Sequence, residues 1–224
     1  MLNLLKYEKP LTRRGGKMTY ILGANCSDGV VLIADRKVTF AENLSHTDYR
    51  KKLFAFPSNL YYPIVVGCAG STIISDQFGD DILIIAKNYQ GTIIFDKFIR
   101  ELTSKIKEYF ETTYKDKFKS EEFEIVIAIQ TQDSGAILRH IPGQGYPINI
   151  AKDRYVVCGS ESGIIRTRTM FQPLWCRGLN MIQAGEFGYF FIQYLERYHL
   201  DDLVGTEMDS KPQIWYIPDR GHLA

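Results

Sequence analysis

The sequence is poor in residues that hold metals or staple a small fold. Its four cysteines, Cys26, Cys68, Cys158 and Cys176, stand at wide intervals with no CxxC pair. Its four histidines, His46, His140, His199 and His222, are equally dispersed. This spacing excludes the zinc patterns readable from sequence and a compact disulfide framework. The cysteines read instead as reduced, mostly buried packing residues. No metal site and no cofactor motif is expected. An excess of one charge is missing as well: 27 basic side chains face 26 acidic ones, for a net charge of +1. That balance gives no electrostatic case for nucleic acid or an anionic membrane as partner. Apolar runs such as IVIAI at 125 to 129 fall far short of the roughly 18 to 20 residues that span a bilayer. Residues 1 to 17 are basic but lack the apolar centre of a secretory signal, so a cytoplasmic protein is expected.

What the chain does contain suits a folded globular protein. Of its 224 residues, 45% are apolar and 13% aromatic, enough for a sizeable core and against disorder. The length suits one globular domain or two small ones. The first seventeen residues, with five basic side chains and a Gly15-Gly16 pair, read as an extension outside the domain. From Thr19, TYILGAN and VVLIAD flank a CSDG turn, which argues for a β-hairpin. A second β region follows at KKLFAF and YYPIVVGCAG. The period then changes. Ile74, Phe78, Ile82 and Ile85 recur at helical spacing, as do Phe95, Phe98, Ile99, Leu102, Ile106, Tyr109 and Phe110, with a break near Asn88 to Gly91. Strands are expected at EFEIVIAIQT, AILRHIP and YVVCGS, the first two joined by a turn at Asp133-Ser134-Gly135. Helices are expected over about 162 to 176 and 179 to 199, and QIWYIP closes the chain as a strand. This order is neither doubly wound nor all-β. It suggests two antiparallel sheets packed together, each covered on its outer face by a helical pair.

The first hairpin gathers candidate chemistry. A turn centred on Ser27-Asp28 or Asp28-Gly29 places Thr19 opposite residues 36 to 38, and therefore near Asp35. The next strand begins with Lys51-Lys52, which brings a lysine toward the same end. Thr, Asp and Lys together make a nucleophile with electrostatic support; a surface hydroxyl beside a solvated ion pair is the plainer alternative.

DGVVLIADRKVT, RKKLF and VVGCAG, in that order between Thr19 and Gly70, resemble the N-terminal part of proteasome β-type subunits, which are N-terminal nucleophile hydrolases. YVVCGSESG and the closing helix and strand extend the likeness over most of residues 18 to 218. The resemblance implies a four-layer αββα sandwich, assembly in a ring with other proteasome-like subunits, and cleavage of peptides or unfolded proteins without a cofactor. It divides the chain into an extension or propeptide over residues 1–18 and a domain over 19–224. It implies Thr19 as nucleophile, Asp35 as its acidic neighbour, Lys52 as the lysine, Gly67 as the oxyanion donor, Ser160 as the serine beside the nucleophile, and Asp201 as that serine's support. Lys51 and Asp202 remain second candidates for the lysine and the aspartate. Thr39, Val65, Ala69 and Ile73 are implied to bind the substrate.

The chemistry explains these residue types. A threonine hydroxyl needs a base, and a free α-amino group on the same residue, with an ordinary pKa of about 7.7 to 8.0, serves if nothing precedes it. A lysine charge lowers the proton affinity of nearby groups, and an aspartate holds the lysine in place. A glycine N–H stabilises the developing oxyanion. Each residue also has a structural alternative: an Asp35-Arg36 ion pair, a turn at Gly67 and Gly70, or Ser160 as a helix cap. The chain departs from the β-type pattern at Met18, which precedes Thr19 in place of glycine, and at Val204 and Gly205-Thr206. Thr19 is then exposed either by loss of a propeptide or by removal of Met18 as initiator. A non-catalytic subunit like the proteasome α type and an amide-transferring enzyme are the rival readings.

Overall fold

The computed structural model describes residues 19–39, 47–49, 51–56, 63–70, 72–87, 95–113, 123–131, 135–143, 145–175, 178–198 and 211–219. The expected extension over residues 1–18 lies outside them. The protein is α+β, with two large antiparallel sheets, a two-stranded ribbon and four α-helices among the described residues.

The first sheet grows from the opening hairpin. β1 (Tyr20–Cys26) and β2 (Gly29–Ala34) pair from Cys26 opposite Gly29 to Ile21 opposite Ala34, around the Ser27-Asp28 turn. The short strands β3 (Lys37–Thr39) and β4 (Thr47–Tyr49) form a separate ribbon that the sequence pattern did not announce. β5 (Leu53–Phe56), β6 (Ile64–Ala69), β7 (Glu124–Thr131), β8 (Gly135–Pro142) and β9 (Ile148–Ile150) follow in order as a five-stranded meander. Only the three-residue β9 was unforeseen there, being too short to show a period. β10 (Arg154–Gly159) and β11 (Gln213–Pro218) flank the hairpin, giving the order β10-β1-β2-β11.

Both faces of the central strands are covered, which is why they read as continuous apolar runs rather than alternating ones. Along β1, Tyr20, Leu22, Ala24 and Cys26 join the cluster formed with α3 (Glu161–Trp175) and α4 (Met181–Arg197), through Phe171, Trp175, Phe191 and Leu195. Ile21, one position out of phase, joins Val65, Val126 and Leu138 in a cluster that links the two sheets. On β6, Ile64, Val66 and Cys68 pack with Phe78 and Ile82 of α1 (Thr72–Lys87) and with Phe98, Leu102 and Ile106 of α2 (Phe95–Glu108). Each large side chain so buried contributes roughly 1.5–3 kcal/mol.

The helices match their expected periods within two or three residues. α2 runs on into a wider turn at Tyr109–Thr113, which keeps Tyr109 buried with the α1–α2 cluster. α4 begins at Asn180, whose side chain accepts from the Gln183 N–H while the Gln183 side chain accepts from the Asn180 N–H. This reciprocal cap satisfies two helix-end donors at once.

Candidate functional site

Thr19 stands at the entrance to β1 and is 5% exposed. Its placement is set by backbone on both sides. The Ser160 N–H donates to the Thr19 carbonyl at 2.8 Å. Across the hairpin, the Tyr20 N–H donates to Asp35 Oδ1 at 2.8 Å, and the Asp35 N–H donates to the Tyr20 carbonyl at 3.1 Å. Asp35 is thus held against the residue that follows the threonine.

Lys52 completes the group. Its Nζ lies 2.6 Å from Asp35 Oδ1 and also donates to the Lys37 carbonyl. Both partners are buried, at 4% and 0% exposure. Burial pushes the Lys52 ammonium below the ordinary lysine range, and the charge of Asp35 opposes that shift. Lys51, its neighbour just before β5, is exposed. The structure therefore brings Lys52, and not Lys51, to Asp35.

Two residues that secure this geometry were not foreseen. Gln213, the first residue of β11, accepts from the N–H of Lys52 at 2.6 Å and of Leu53 at 3.2 Å through one side-chain oxygen. It ties the lysine's backbone to the other sheet. A buried glutamine opening the apolar strand QIWYIP was the available signal. Gly159 has φ of +114°, and a Cβ there would overlap the Thr19 carbonyl oxygen. Only glycine lets β10 pass this close to Thr19.

Ser160 meets the threonine through its backbone, while its side chain caps α3 by accepting from the Gly163 N–H at 3.1 Å. The structural alternative for this serine is thus realised alongside its proximity to Thr19. The cap continues into the core. Thr167 donates to the Gly163 carbonyl at 2.7 Å, so Tyr20, 2.9 Å away, is the donor to Thr167. Burial raises the Tyr20 phenol well above its ordinary pKa.

Gly67, the implied oxyanion donor, lies within β6. It sits in mid-strand, opposite Leu53 on one side and Val126 on the other. The N–H of Cys68 points to the Lys52 carbonyl on the β5 side, so that of Gly67 points to β7, into the ladder. Its lack of a side chain serves packing: a Cβ would come within 2.9 Å of Leu53 and 3.1 Å of Ile21. Val65 and Ala69 lie in the cluster that links the sheets and are 1% and 0% exposed. Thr39 and Ile73 are placed by backbone in β3 and α1, but their side chains lie outside the described residues. Asp201 and Asp202 lie outside them altogether.

No family model matches the sequence, and neither does any curated protein. Solved structures do resemble it. Anbu, an ancestral β-subunit, from Yersinia bercovieri superimposes with a TM-score of 0.70 at 17% identity, covering 89% of this chain and 82% of that one. The fold is similar to that of the Anbu proteins. The Anbu complex from Pseudomonas aeruginosa, solved as a helical assembly, gives 0.68 at 17% identity over 90% and 82% of the two chains. Anbu from a Hyphomicrobium species gives 0.64 at 15% identity over 89% and 88%. These findings correct the assignment to proteasome β-type subunits. At such identities the likeness establishes the fold alone. Among the described residues, no helix is long and apolar enough to cross a membrane.

Proposed function

We propose that this chain is an amide-bond hydrolase acting on peptides, with Thr19 as nucleophile once it becomes the first residue of the mature chain. The observation that carries this reading is the buried Lys52–Asp35 pair, 2.6 Å apart, anchored beside Thr19 by the bonds between Asp35 and Tyr20. Burying two charges costs several kcal/mol, and their attraction seldom yields net stability in return. Such a pair is best understood where its field is used. The α-amino group of a terminal Thr19 takes the hydroxyl proton, Lys52 lowers that amine's proton affinity, and Asp35 fixes the lysine. The hydroxyl oxygen attacks the scissile carbonyl, the C–N bond breaks as the amine fragment leaves with the proton the α-amino group had taken, and water then hydrolyses the acyl-threonine to release the acid and restore the hydroxyl.

In this reading residues 1–18 are removed and residues 19–224 form the working domain. The two sheets stack between the α1–α2 and α3–α4 pairs as four layers, a reading supported by the three apolar clusters. The oxyanion donor comes from the turn after β6 rather than from Gly67. Gly70 lies there with φ of +122°, two residues beyond the Cys68 that bonds the Lys52 carbonyl. The chain works in an assembly of like subunits, as the helical assembly of the similar Pseudomonas aeruginosa Anbu complex suggests. Ile165, Met170, Ile182 and Phe190, 40 to 61% exposed on α3 and α4, suit such contacts.

The test is the intact mass and first residue of the purified protein, read beside cleavage of fluorogenic peptides carrying leucine, tyrosine, arginine or glutamate before the scissile bond. Chains that begin at Thr19 should cleave, and Thr19→Ala or retention of Met18 should abolish turnover. Equal activity in wild type and Thr19→Ala would refute the proposal.

A further inference from the structure

Three side chains far apart in sequence converge where the two sheets meet. Glu124 opens β7, and His140 lies on β8 opposite Val126. Positions 124 and 126 share one face of β7, so glutamate and histidine lie on the same side of the sheet. Cys158, on β10 of the other sheet, belongs with Val126 to the cluster linking the sheets. One carboxylate oxygen, one imidazole nitrogen and the thiol sulfur all lie within 4.8 Å of one another. His140 Nε2 and Glu124 Oε2 are 3.9 Å apart. Cys158 is fully buried, whereas Glu124 and His140 border a cavity of about 820 Å³ together with Lys152, Arg154, Arg168 and Trp175.

A glutamate and a histidine make an ion pair without help from a cysteine. A mixed oxygen, nitrogen and sulfur set is instead what a borderline-soft cation takes, while magnesium and calcium select oxygen. Zinc bonds of about 2.0–2.3 Å place neighbouring tetrahedral donors about 3.3–3.6 Å apart. The three donors, all within 4.8 Å of one another, therefore need to close by at most about 1.5 Å.

We infer that Glu124, His140 and Cys158 bind a divalent ion of the zinc class, with the adjoining cavity supplying the fourth position for water or an anion. A carboxylate and a thiolate neutralise the ion, so the basic residues around the cavity do not oppose it. Lys152, Arg154 and Arg168 suit an anionic fourth ligand, as does the Trp175 indole N–H, which has no acceptor among the described residues. Binding displaces the Cys158 thiol proton. The site stands independently of Thr19 and of peptide cleavage.

Cobalt(II) titration of the chelator-treated full-length protein tests the assignment. The expected result is uptake of one equivalent at micromolar concentration, with a thiolate-to-cobalt charge-transfer band that zinc abolishes by displacement. Cys158→Ser should lose that band, and Glu124→Gln and His140→Ala should each weaken uptake by about tenfold or more. Circular dichroism of each variant shows whether it is folded, and Glu124→Gln, at a partly exposed position, carries the test if the buried variant fails. No stoichiometric uptake by the wild type, or an unchanged band in folded Cys158→Ser, would overturn the assignment. Loss of peptide cleavage in Thr19→Ala should leave the cobalt signal intact.

Discussion

Cys158 and Gly159 are neighbours on β10, yet they belong to two proposed sites of different origin. Gly159 covers Thr19 in a site built mostly from one hairpin and the strand after it, with Thr19, Asp35 and Lys52 spaced closely enough for register to be counted along the chain. Cys158 meets Glu124 and His140 across two sheets, and no spacing in the sequence relates them. Pairing within a hairpin is determined by its turn and strand period. Contact between stacked sheets is determined by which residues fall at the same height, and that emerges only from the finished packing.

The comparison can be broken most forcefully at Gly159. An alanine there meets both a positive φ and the Thr19 carbonyl. Gly159→Ala should lower unfolding stability by more than about 3 kcal/mol, measured by urea titration. A wild-type midpoint would show that β10 does not hold Thr19 as described.

A comparable effect is expected at the ion pair. Lys52→Ala leaves Asp35 charged and buried without its cation, a loss of about 3–5 kcal/mol, and should also suppress peptide cleavage. Lys51→Ala, at an exposed position, should stay within about 0.5 kcal/mol of wild type. Equal responses from the two lysines would undo the register of the hairpin site.

Cys26 offers the mildest test and an internal control for Cys158. Both are buried cysteines of the same sheet, but Cys26 does not belong to the three-donor cluster. Burial pushes the Cys26 thiol up to about 12 from 9.0, and likewise raises the Tyr20 phenol above 10.0. In the unfolded chain both ionise at their ordinary values, so above about pH 9 the folded state holds more protons than the unfolded one. Stability should therefore be whole below that pH and fall as it rises, by about 1.4 kcal/mol per pH unit for each group in its window. Denaturant titrations across this range should show the fall, and Cys26→Ala should remove the part that begins near pH 9. A flat profile would contradict the burial of both groups. Cobalt uptake should be unchanged in Cys26→Ala.

Much of the fold was legible because its elements are long and periodic. The β1–β2 turn at Ser27-Asp28, the helical stripes from Phe78 to Ile82 and from Phe98 to Ile106, and the closing strand at Gln213 all follow from local patterns of apolar residues and turn chemistry. The three-residue strands β3, β4 and β9 were not legible, since three residues carry no period. The role of Gly67 is not legible from the sequence for a related reason. A glycine in a strand signals either a backbone donor or a close approach, and the difference depends on which neighbour its N–H faces.

The sequence by itself determined the α+β order, the burial of the central strands, and the approach of Asp35 to Thr19, because each rests on interactions between residues close in the chain or on a repeating apolar pattern. The tertiary structure alone decided that Gln213 reaches the backbone of Lys52, that Gly159 rather than a side chain passes Thr19, and that Glu124, His140 and Cys158 share one point. Those contacts join strands brought side by side, or face to face, only when the sheets close over their common apolar layer. Their geometry is therefore a product of packing, with no local signal in the chain to announce it.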